Sequence, residues 1–357
     1  MEEHRKSHKS RQALQKNKLD FQTDDNCLFG QSIMSTTRHQ QKAAGYVEHE
    51  PPVRIGLVGC GRLAEMGYVR AFHEAAGVAL VGVADINQSR CHDIAPQVPA
   101  YDGIQAMILA GKIEALIIAT PTRCHLADAQ RAGQEHLPTL LEKPPGVDVS
   151  QAQALLNLTP QPWIAFNRRF DPEIIHMKNG LPSEGELCMR LELHYRRKSW
   201  NPFDMSDDAL LDLGPHLIDL ARWLTNSRVR SVQGLRVEQE RAEFELELER
   251  GKVVIVCSCN NPYREVVQVR LNNGSLIGSF KRGGIVAGII GKLRPTRENP
   301  LVKSLIGELE AFGRAVRKNT ASTSLGTVRD GVVVMSVIEA VRQSTKQGGV
   351  RYPVLED

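Results

Sequence analysis

Residues 51–64 read PPVRIGLVGCGRLA, and this stretch decides the fold of the chain around it. The apolar run Val53–Val58 predicts a strand, and the spacing G-x-G-x-x-A follows it at once. Gly59 allows a tight turn off the strand, Gly61 lets the backbone approach a pyrophosphate, and Ala64 lets the next helix pack closely on the sheet. The stretch therefore predicts a dinucleotide-binding turn.

The helix after this turn would point its first amide groups at the phosphates, so Arg62 and Leu63 are assigned to the cofactor-binding set. A second apolar run, Val78–Ala84, ends in Asp85, which lies 26 residues after Gly59 (85 − 59) where about 20 are expected for a ribose-binding acid. A slightly longer first helix would explain this offset. An acid here favours NAD, because it would repel the 2′-phosphate of NADP. The alternative is an ordinary strand–turn–helix that uses glycine only to turn tightly.

Ser89 and Arg90 follow Asp85 closely and leave NADP open as the cofactor.

The composition is typical of a globular protein of about two domains, with 357 residues, 41% of them apolar and 24% charged. A net charge of +4 is small for this length and argues against a nucleic-acid or membrane partner. Seven cysteines without a CxxC pair predict neither a disulfide framework nor a zinc site. We therefore expect no metal site and a reduced, cytoplasmic location.

Residues 1–51 are expected to lie outside the fold, because Met1–Asp25 is rich in polar and charged residues. Met34 is a candidate for the true start of the protein. An intact mass of the natural protein beginning at Met1 would contradict that hypothesis.

Short apolar runs alternate with helical patterns from residue 52 to residue 167, which predicts an α/β domain with a parallel sheet. Residues 168–357 predict an α+β domain with a large, open, mostly antiparallel sheet. Its strands are separated by turn signals such as Asn272-Asn273-Gly274, and its helices are expected at Leu210–Leu224, Leu301–Arg317 and Thr327–Lys346.

Two clusters follow predicted strands of the first domain, at the sheet edge where open α/β folds bind ligands. In the first, Thr120 and Pro121 could contact a cofactor, and His125 lies just beyond. In the second, Glu142 and Lys143 precede two prolines, which stiffen the loop and favour acid–base chemistry by a partly desolvated lysine. A simple strand-to-helix turn and a surface lysine are the alternatives.

A third cluster reads LDLGPHLID over residues 211–219. Asp212 and His216 are four residues apart and share one side of a helix, so the histidine could exchange a proton beside a carboxylate. Pro215 is expected in the first turn, and Asp219 could fix the imidazole ring. The alternative is an amphipathic helix with a structural histidine.

The three clusters, in this order after the glycine turn, resemble the glucose–fructose oxidoreductase / inositol dehydrogenase (Gfo/Idh/MocA) family. The resemblance covers residues 52–355 and is carried by IGLVGCGRLA, ATPTRCH, LLEKP, AFNRRFDP and DLGPHLIDLARWL. It implies a Rossmann domain followed by an α+β domain that often forms oligomer contacts. It also implies that Lys143, Asp212 and His216 are catalytic and that Arg168 lines the nicotinamide and substrate pocket.

The cofactor-binding set predicted from these observations is Gly59, Gly61, Arg62, Leu63, Asp85, Thr120, Pro121, His125, Glu142, Lys143 and Arg168.

One departure from the family concerns charge near the pocket. Glycines commonly precede the catalytic aspartate, but here Asp207 and Asp208 stand in that stretch and would disfavour an anionic substrate unless they point to solvent. The basic stretch His194–Lys198, with Trp200, could instead hold a phosphate or a nucleotide-sugar diphosphate. These two cues leave the substrate open.

The expected reaction is oxidation of a secondary alcohol on a sugar, polyol, inositol or nucleotide sugar, with a homodimer or homotetramer formed through the second sheet. A C=C or C=N reductase, an oxidation-assisted glycoside-cleaving enzyme and a non-catalytic cofactor-binding regulator are the alternatives. The stretch Gly283–Gly291 is left without an assigned role.

Overall fold

The computed structural model describes residues 50–200, 206–283, 299–319, 322 and 324–354. The chain divides into one unit at residues 1–48 and a second at residues 49–357. The expectations for the N-terminal extension, for Met34 as a start and for residues 284–291 lie outside the described residues.

The first sheet has six parallel strands in the order β3-β2-β1-β4-β5-β6, as the alternating pattern predicts. Its central strands are apolar because helices cover both faces of the sheet. The strands are β1 (Val53–Val58), β2 (Val78–Ala84), β3 (Ala100–Tyr101), β4 (Ala115–Ile118), β5 (Thr139–Glu142) and β6 (Trp163–Ala165).

The helices between these strands are short. A π-helical stretch, Ala64–Tyr68, runs into α1 (Val69–Phe72), so the helix in the structure is shorter than the one that the sequence pattern over residues 63–76 predicts. The others are α2 (Gln88–Ile94), α3 (Ile104–Leu109), α4 (His125–Gln134), α5 (Val149–Ala154) and α6 (Pro172–Asn179).

The second sheet has seven strands in the order β12-β11-β7-β10-β9-β8-β13, and only its β7–β10 pair is parallel among the described strands. This confirms the mostly antiparallel sheet. The strands are β7 (Leu187–Arg196), β8 (Val229–Val237), β9 (Arg241–Leu248), β10 (Gly251–Ser258), β11 (Asn260–Leu271), β12 (Leu276–Gly283) and β13 (Tyr352–Pro353).

Helix α7 (Ala209–Thr225) packs on one face of the second sheet with α9 (Val328–Lys346). Helix α8 (Pro300–Lys318) comes after β12 in the chain but packs on the first sheet, where Leu305 and Phe312 join its core. The apolar faces of these helices are thus divided between the two sheets.

Helix α7 begins six residues before Pro215, so the expectation that this proline lies in the first turn is wrong. The side chain of Asp208 caps the helix by accepting a hydrogen bond from the backbone N–H of Leu211 at 2.8 Å. Such a cap stabilises a helix start by about 1 kcal/mol. The cap and the buried apolar side of the helix outweigh the one backbone hydrogen bond that the proline cannot make.

None of the helices in the described ranges combines the length and the apolar character that a membrane span requires.

Candidate active site

The glycine turn contains two glycines that are needed for different reasons. Gly59 has φ +97°, and a Cβ there would lie 2.4 Å from the carbonyl oxygen of Ala119, so the protein itself requires glycine at this position. A Cβ at Gly61 would meet no described atom within 4 Å. The open side of Gly61 therefore fits the close approach of a pyrophosphate, and the turn suits a dinucleotide.

The carboxylate of Asp85 is oriented by the turn. Its Oδ2 accepts a hydrogen bond from the backbone N–H of Cys60 at 2.7 Å, and its Oδ1 accepts one from Asn87 N at 2.8 Å. Each carboxylate oxygen has more than one acceptor position. The group can therefore accept further bonds from ribose hydroxyls while it stays fixed at the end of β2.

Arg90 and Arg62 are both bonded to Glu65. The Nη atoms of the two arginines lie 2.9 Å from the same carboxylate oxygen, and these bonds lower the pKa of Glu65. Arg90 also donates to the carbonyl oxygen of Cys60 at 3.3 Å. Arg90, which left NADP open as the cofactor, is thus bonded to the carboxylate of Glu65. Leu63 directly precedes the π-helical stretch.

Thr120, Pro121 and His125 connect the loop after β4 with the loop after β5. The buried ring of His125 places Nδ1 2.7 Å from the carbonyl oxygen of Pro144 and Nε2 2.8 Å from that of Thr120. Burial lowers the pKa of His125, although both carbonyl groups favour its charged form. Among these three residues, the histidine therefore holds the two loops together beside the sheet edge.

Glu142 is buried beneath the loop that carries Lys143. One carboxylate oxygen accepts a hydrogen bond from Tyr68 Oη at 2.7 Å and the other accepts one from the backbone N–H of Lys143 at 3.1 Å. Burial raises the pKa of Glu142. These contacts fix the backbone of the lysine.

Lys143 and Asp212 come together across the two halves of the fold. The Nζ of Lys143 donates to the backbone oxygen of Asp212 at 2.9 Å and lies 3.4 Å from its Oδ1. The Oδ2 accepts hydrogen bonds from Tyr195 Oη at 2.6 Å and from Arg197 Nη2 at 2.7 Å. Burial favours a neutral Asp212, but the charges of Lys143 and Arg197 lower its pKa and keep it ionised.

His216 is partly buried on the same helix, one turn after Asp212. Burial lowers its pKa well below the usual value, and the positive charges of Lys143 and Arg168 lower it further. The ring is therefore neutral near pH 7 and can accept a proton. Its Nδ1 is buried with no hydrogen-bond partner among the described residues.

The expectation that Asp219 fixes this ring is wrong. Both carboxylate oxygens of Asp219 bond Arg169, the Oδ2 at 2.9 Å from Nε. A buried guanidinium binds a carboxylate more strongly than a neutral imidazole does, because both partners are charged and the fork is bidentate.

Arg168 donates to the buried carboxylate of Glu265 on β11. Tyr263 Oη donates to the second oxygen of Glu265 at 3.0 Å. The Nε of Arg168 is buried and has no partner among the described residues. Its charge is thus compensated by Glu265.

Three residues of the two conflicting charge cues, Asp207, Asp208 and Arg197, have partners within the fold. Asp207 Oδ2 accepts from Thr122 Oγ1 at 2.8 Å, and Asp208 caps α7 and pairs with Arg342 at 2.7 Å. Arg197 binds Asp212, so it is not held free for a phosphate. The side chain of Trp200 and residues 201–205 lie outside the described residues.

Tyr195, Arg197 and Glu265 are among the residues of the site that sequence reasoning did not assign. Tyr195 was visible only as one position of the alternating β7 pattern and Arg197 only as part of a basic stretch. In the chain, Tyr195 and Arg197 lie 17 and 15 residues from Asp212, and Arg168 lies 97 residues from Glu265. No local spacing in the sequence indicates such pairs.

Comparisons with known protein families agree with this architecture. Residues 53–161 match the family model of the Gfo/Idh/MocA oxidoreductases, described as an oxidoreductase family with an NAD-binding Rossmann fold. Residues 186–277 match the model of the Gfo/Idh/MocA C-terminal domain. Together the two matches cover most of both sheets.

The chain is also similar to individual members of this group. It is 31% identical over 183 residues to the rhizopine catabolism protein MocA of Rhizobium meliloti, a match that covers 48% of this chain and 57% of that protein. It therefore spans little more than half the length of this relative. It is 24% identical to an inositol 2-dehydrogenase of Rhizobium meliloti, with 83% of this chain and 97% of the relative covered.

Among solved structures, the fold is similar to that of the myo-inositol dehydrogenase of Lactobacillus casei, which was crystallised with NAD(H) and myo-inositol. The TM-score is 0.68 at 16% identity, and the match covers 85% of this chain and 97% of that one. At this identity the likeness supports the fold alone.

Proposed function

Because this chain belongs to the Gfo/Idh/MocA family of NAD-binding oxidoreductases, we propose that it catalyses the reversible oxidation of a secondary alcohol on a sugar or polyol. One observation carries the proposal: the Lys143–Asp212 pair lies beside a histidine whose pKa is well below its usual value. A neutral imidazole next to a fixed ammonium group suits the removal of a proton from an alcohol.

In the proposed reaction, His216 accepts the proton of the alcohol. Lys143 donates a hydrogen bond to the same oxygen and stabilises the negative charge that develops there. Asp212 remains ionised and accepts a hydrogen bond from a neighbouring hydroxyl of the substrate. Bound NAD would supply the nicotinamide ring that accepts the hydride.

The cofactor would be held by the glycine turn, with Gly61 against the pyrophosphate and Asp85 on the ribose hydroxyls. The carboxylate of Asp85 supports a preference for NAD, and the bond of Arg90 to Glu65 supports it further. Titration of NADH and NADPH against the protein tests this part of the proposal. Equal affinities would contradict it.

The charge balance of the described site supports an uncharged substrate. Lys143 and Arg197 share the carboxylate of Asp212, and Arg168 is bonded to Glu265. A phosphate would have to compete with these carboxylates for the same donors, whereas hydroxyl groups can donate to one partner and accept from the other. We therefore place free sugars and polyols ahead of sugar phosphates and nucleotide sugars.

The experiment is a substrate panel with NAD or NADP, followed by nicotinamide absorbance. Inositols, free sugars and linear polyols are each compared with a phosphorylated counterpart. Turnover of the uncharged members supports the proposal, and turnover of only the phosphorylated members contradicts the substrate class. Silence across the panel with intact NADH binding would favour the reductase, glycoside-cleaving or regulatory alternatives.

The assembly and location of the protein are part of the same proposal. We propose a homodimer or homotetramer formed through the face of the second sheet opposite α7 and α9, where Arg190 and Arg264 bond the buried Glu192. Light scattering during size-exclusion chromatography would measure the mass. A cytoplasmic location stays a prediction from the cysteine pattern.

A further inference from the structure

The carboxylate of Asp212 is held from the side opposite Lys143 by two residues of one strand end. Tyr195 is the penultimate residue of β7, and Arg197 opens the short helical segment that follows. Both donate to the same oxygen, Oδ2, at 2.6 and 2.7 Å. Two charge-assisted bonds on one oxygen fix the rotation of the carboxylate.

Arg197 is itself anchored. Its guanidinium donates to the backbone oxygen of Asp207 and lies 3.1 Å from Cys259 Sγ, and 10% of its side chain is exposed. The planar guanidinium group therefore has little freedom to follow Asp212 if that carboxylate turns. The arrangement leaves Oδ1 as the oxygen directed at Lys143.

We propose that Tyr195 and Arg197 are positioning residues that hold Asp212 ionised and aim its Oδ1 at Lys143. This inference rests on the proposed function, because it assigns the pair to the acid–base centre of that reaction. Without the pair, Lys143 would be the one remaining cation bonded to Asp212 in the described site. The ammonium group of Lys143 would then bond the carboxylate of Asp212 instead of the alcohol oxygen of the substrate.

The test uses Tyr195→Phe, Arg197→Lys and Arg197→Gln in the full-length protein. Arg54→Gln is the matched control, because Arg54 lies on β1, is half-exposed and bonds Glu114 instead of the site. Circular dichroism establishes that each variant is folded. If Arg197→Gln does not fold, Tyr195→Phe still tests the proposal, since it removes a single hydroxyl group.

In the active enzyme, Tyr195→Phe and Arg197→Gln are expected to lower kcat about tenfold or more, while the Kd of NADH changes less than twofold. Arg197→Lys is expected to recover part of the loss, because lysine restores the positive charge but not the several N–H donors of the planar guanidinium group. In Arg197→Gln the pKa of Asp212 should rise, because its carboxylate loses a cation that keeps it ionised, so protonation of Asp212 should add to that of His216 and move the acid limb of the kcat profile to higher pH. A merely structural role would not move this limb.

A second measurement does not depend on turnover. Lys143 is labelled with an amine-reactive succinimidyl ester, and the labelled peptide is quantified by mass spectrometry. Labelling should slow severalfold in Arg197→Gln, because the lysine then compensates Asp212 alone, and it should stay unchanged in Arg54→Gln.

The outcomes separate this inference from the proposed function. A wild-type protein that is inactive on every alcohol refutes the proposed function, and the labelling rates then decide the inference. The inference would be overturned if Tyr195→Phe and Arg197→Gln both kept the wild-type kcat and the wild-type acid limb of the kcat profile. Unchanged labelling of Lys143 in Arg197→Gln would also overturn it.

Discussion

The two glycines of the cofactor turn should respond to the same substitution in opposite ways. Alanine at Gly59 must adopt φ +97°, and its Cβ would lie 2.4–2.7 Å from three backbone atoms of residues 119 and 120. Left-handed backbone costs about 1–2 kcal/mol for a non-glycine residue, and overpacking adds about 1–3 kcal/mol. We therefore expect Gly59→Ala to lower the free energy of unfolding by about 2–5 kcal/mol.

Alanine at Gly61 meets no described atom within 4 Å, so Gly61→Ala should leave the free energy of unfolding within about 0.5 kcal/mol of wild type. The added methyl would occupy the space assigned to the pyrophosphate. We expect the Kd of NADH to rise at least about tenfold, which corresponds to about 1.4 kcal/mol.

Thermal unfolding with and without NADH, together with NADH fluorescence titration, measures both effects. At a concentration of about 100 times the wild-type Kd, NADH should stabilise wild type by about 2.7 kcal/mol, and a tenfold higher Kd in Gly61→Ala should remove about half of this gain. Wild-type NADH affinity in Gly61→Ala would refute the placement of the pyrophosphate. Wild-type stability in Gly59→Ala would show that the turn can relax away from Ala119.

Three further predictions concern protons. His216→Ala should lower kcat about 10²–10⁴-fold without changing the Kd of NADH; a variant that turns over like wild type would remove this residue as the base. Because burial and two cations lower the pKa of His216, the acid limb of kcat/KM should lie below pH ~6.5, and a limb above that value would contradict a neutral ring. Glu308→Gln should increase stability more at pH 8 than at pH 5. Burial raises the pKa of Glu308 and no described group bonds its carboxylate, so wild-type stability falls as pH rises above ~4.3, where the unfolded acid ionises. Urea unfolding at the two pH values measures this, and equal gains would argue against a buried neutral acid.

The local pattern of the sequence predicted most of the elements. Six of the strands of the second sheet and five of the first correspond to apolar or alternating runs, because burial on one or both faces requires such runs. The two-residue strands β3 and β13 were missed because two residues carry no period, and helix α6 was missed as well.

The sequence by itself determined the dinucleotide turn, the two-part architecture and the order of the three clusters, since each depends on residues close together in the chain. It could not determine which face of β7 meets α7, and so did not show that Tyr195 and Arg197 bind Asp212. Only the tertiary structure showed that the carboxylate of Asp219 bonds Arg169 and not the ring of His216. These pairings depend on which side chains meet after both sheets are packed, and a buried charge takes whichever partner the packing brings within hydrogen-bonding distance.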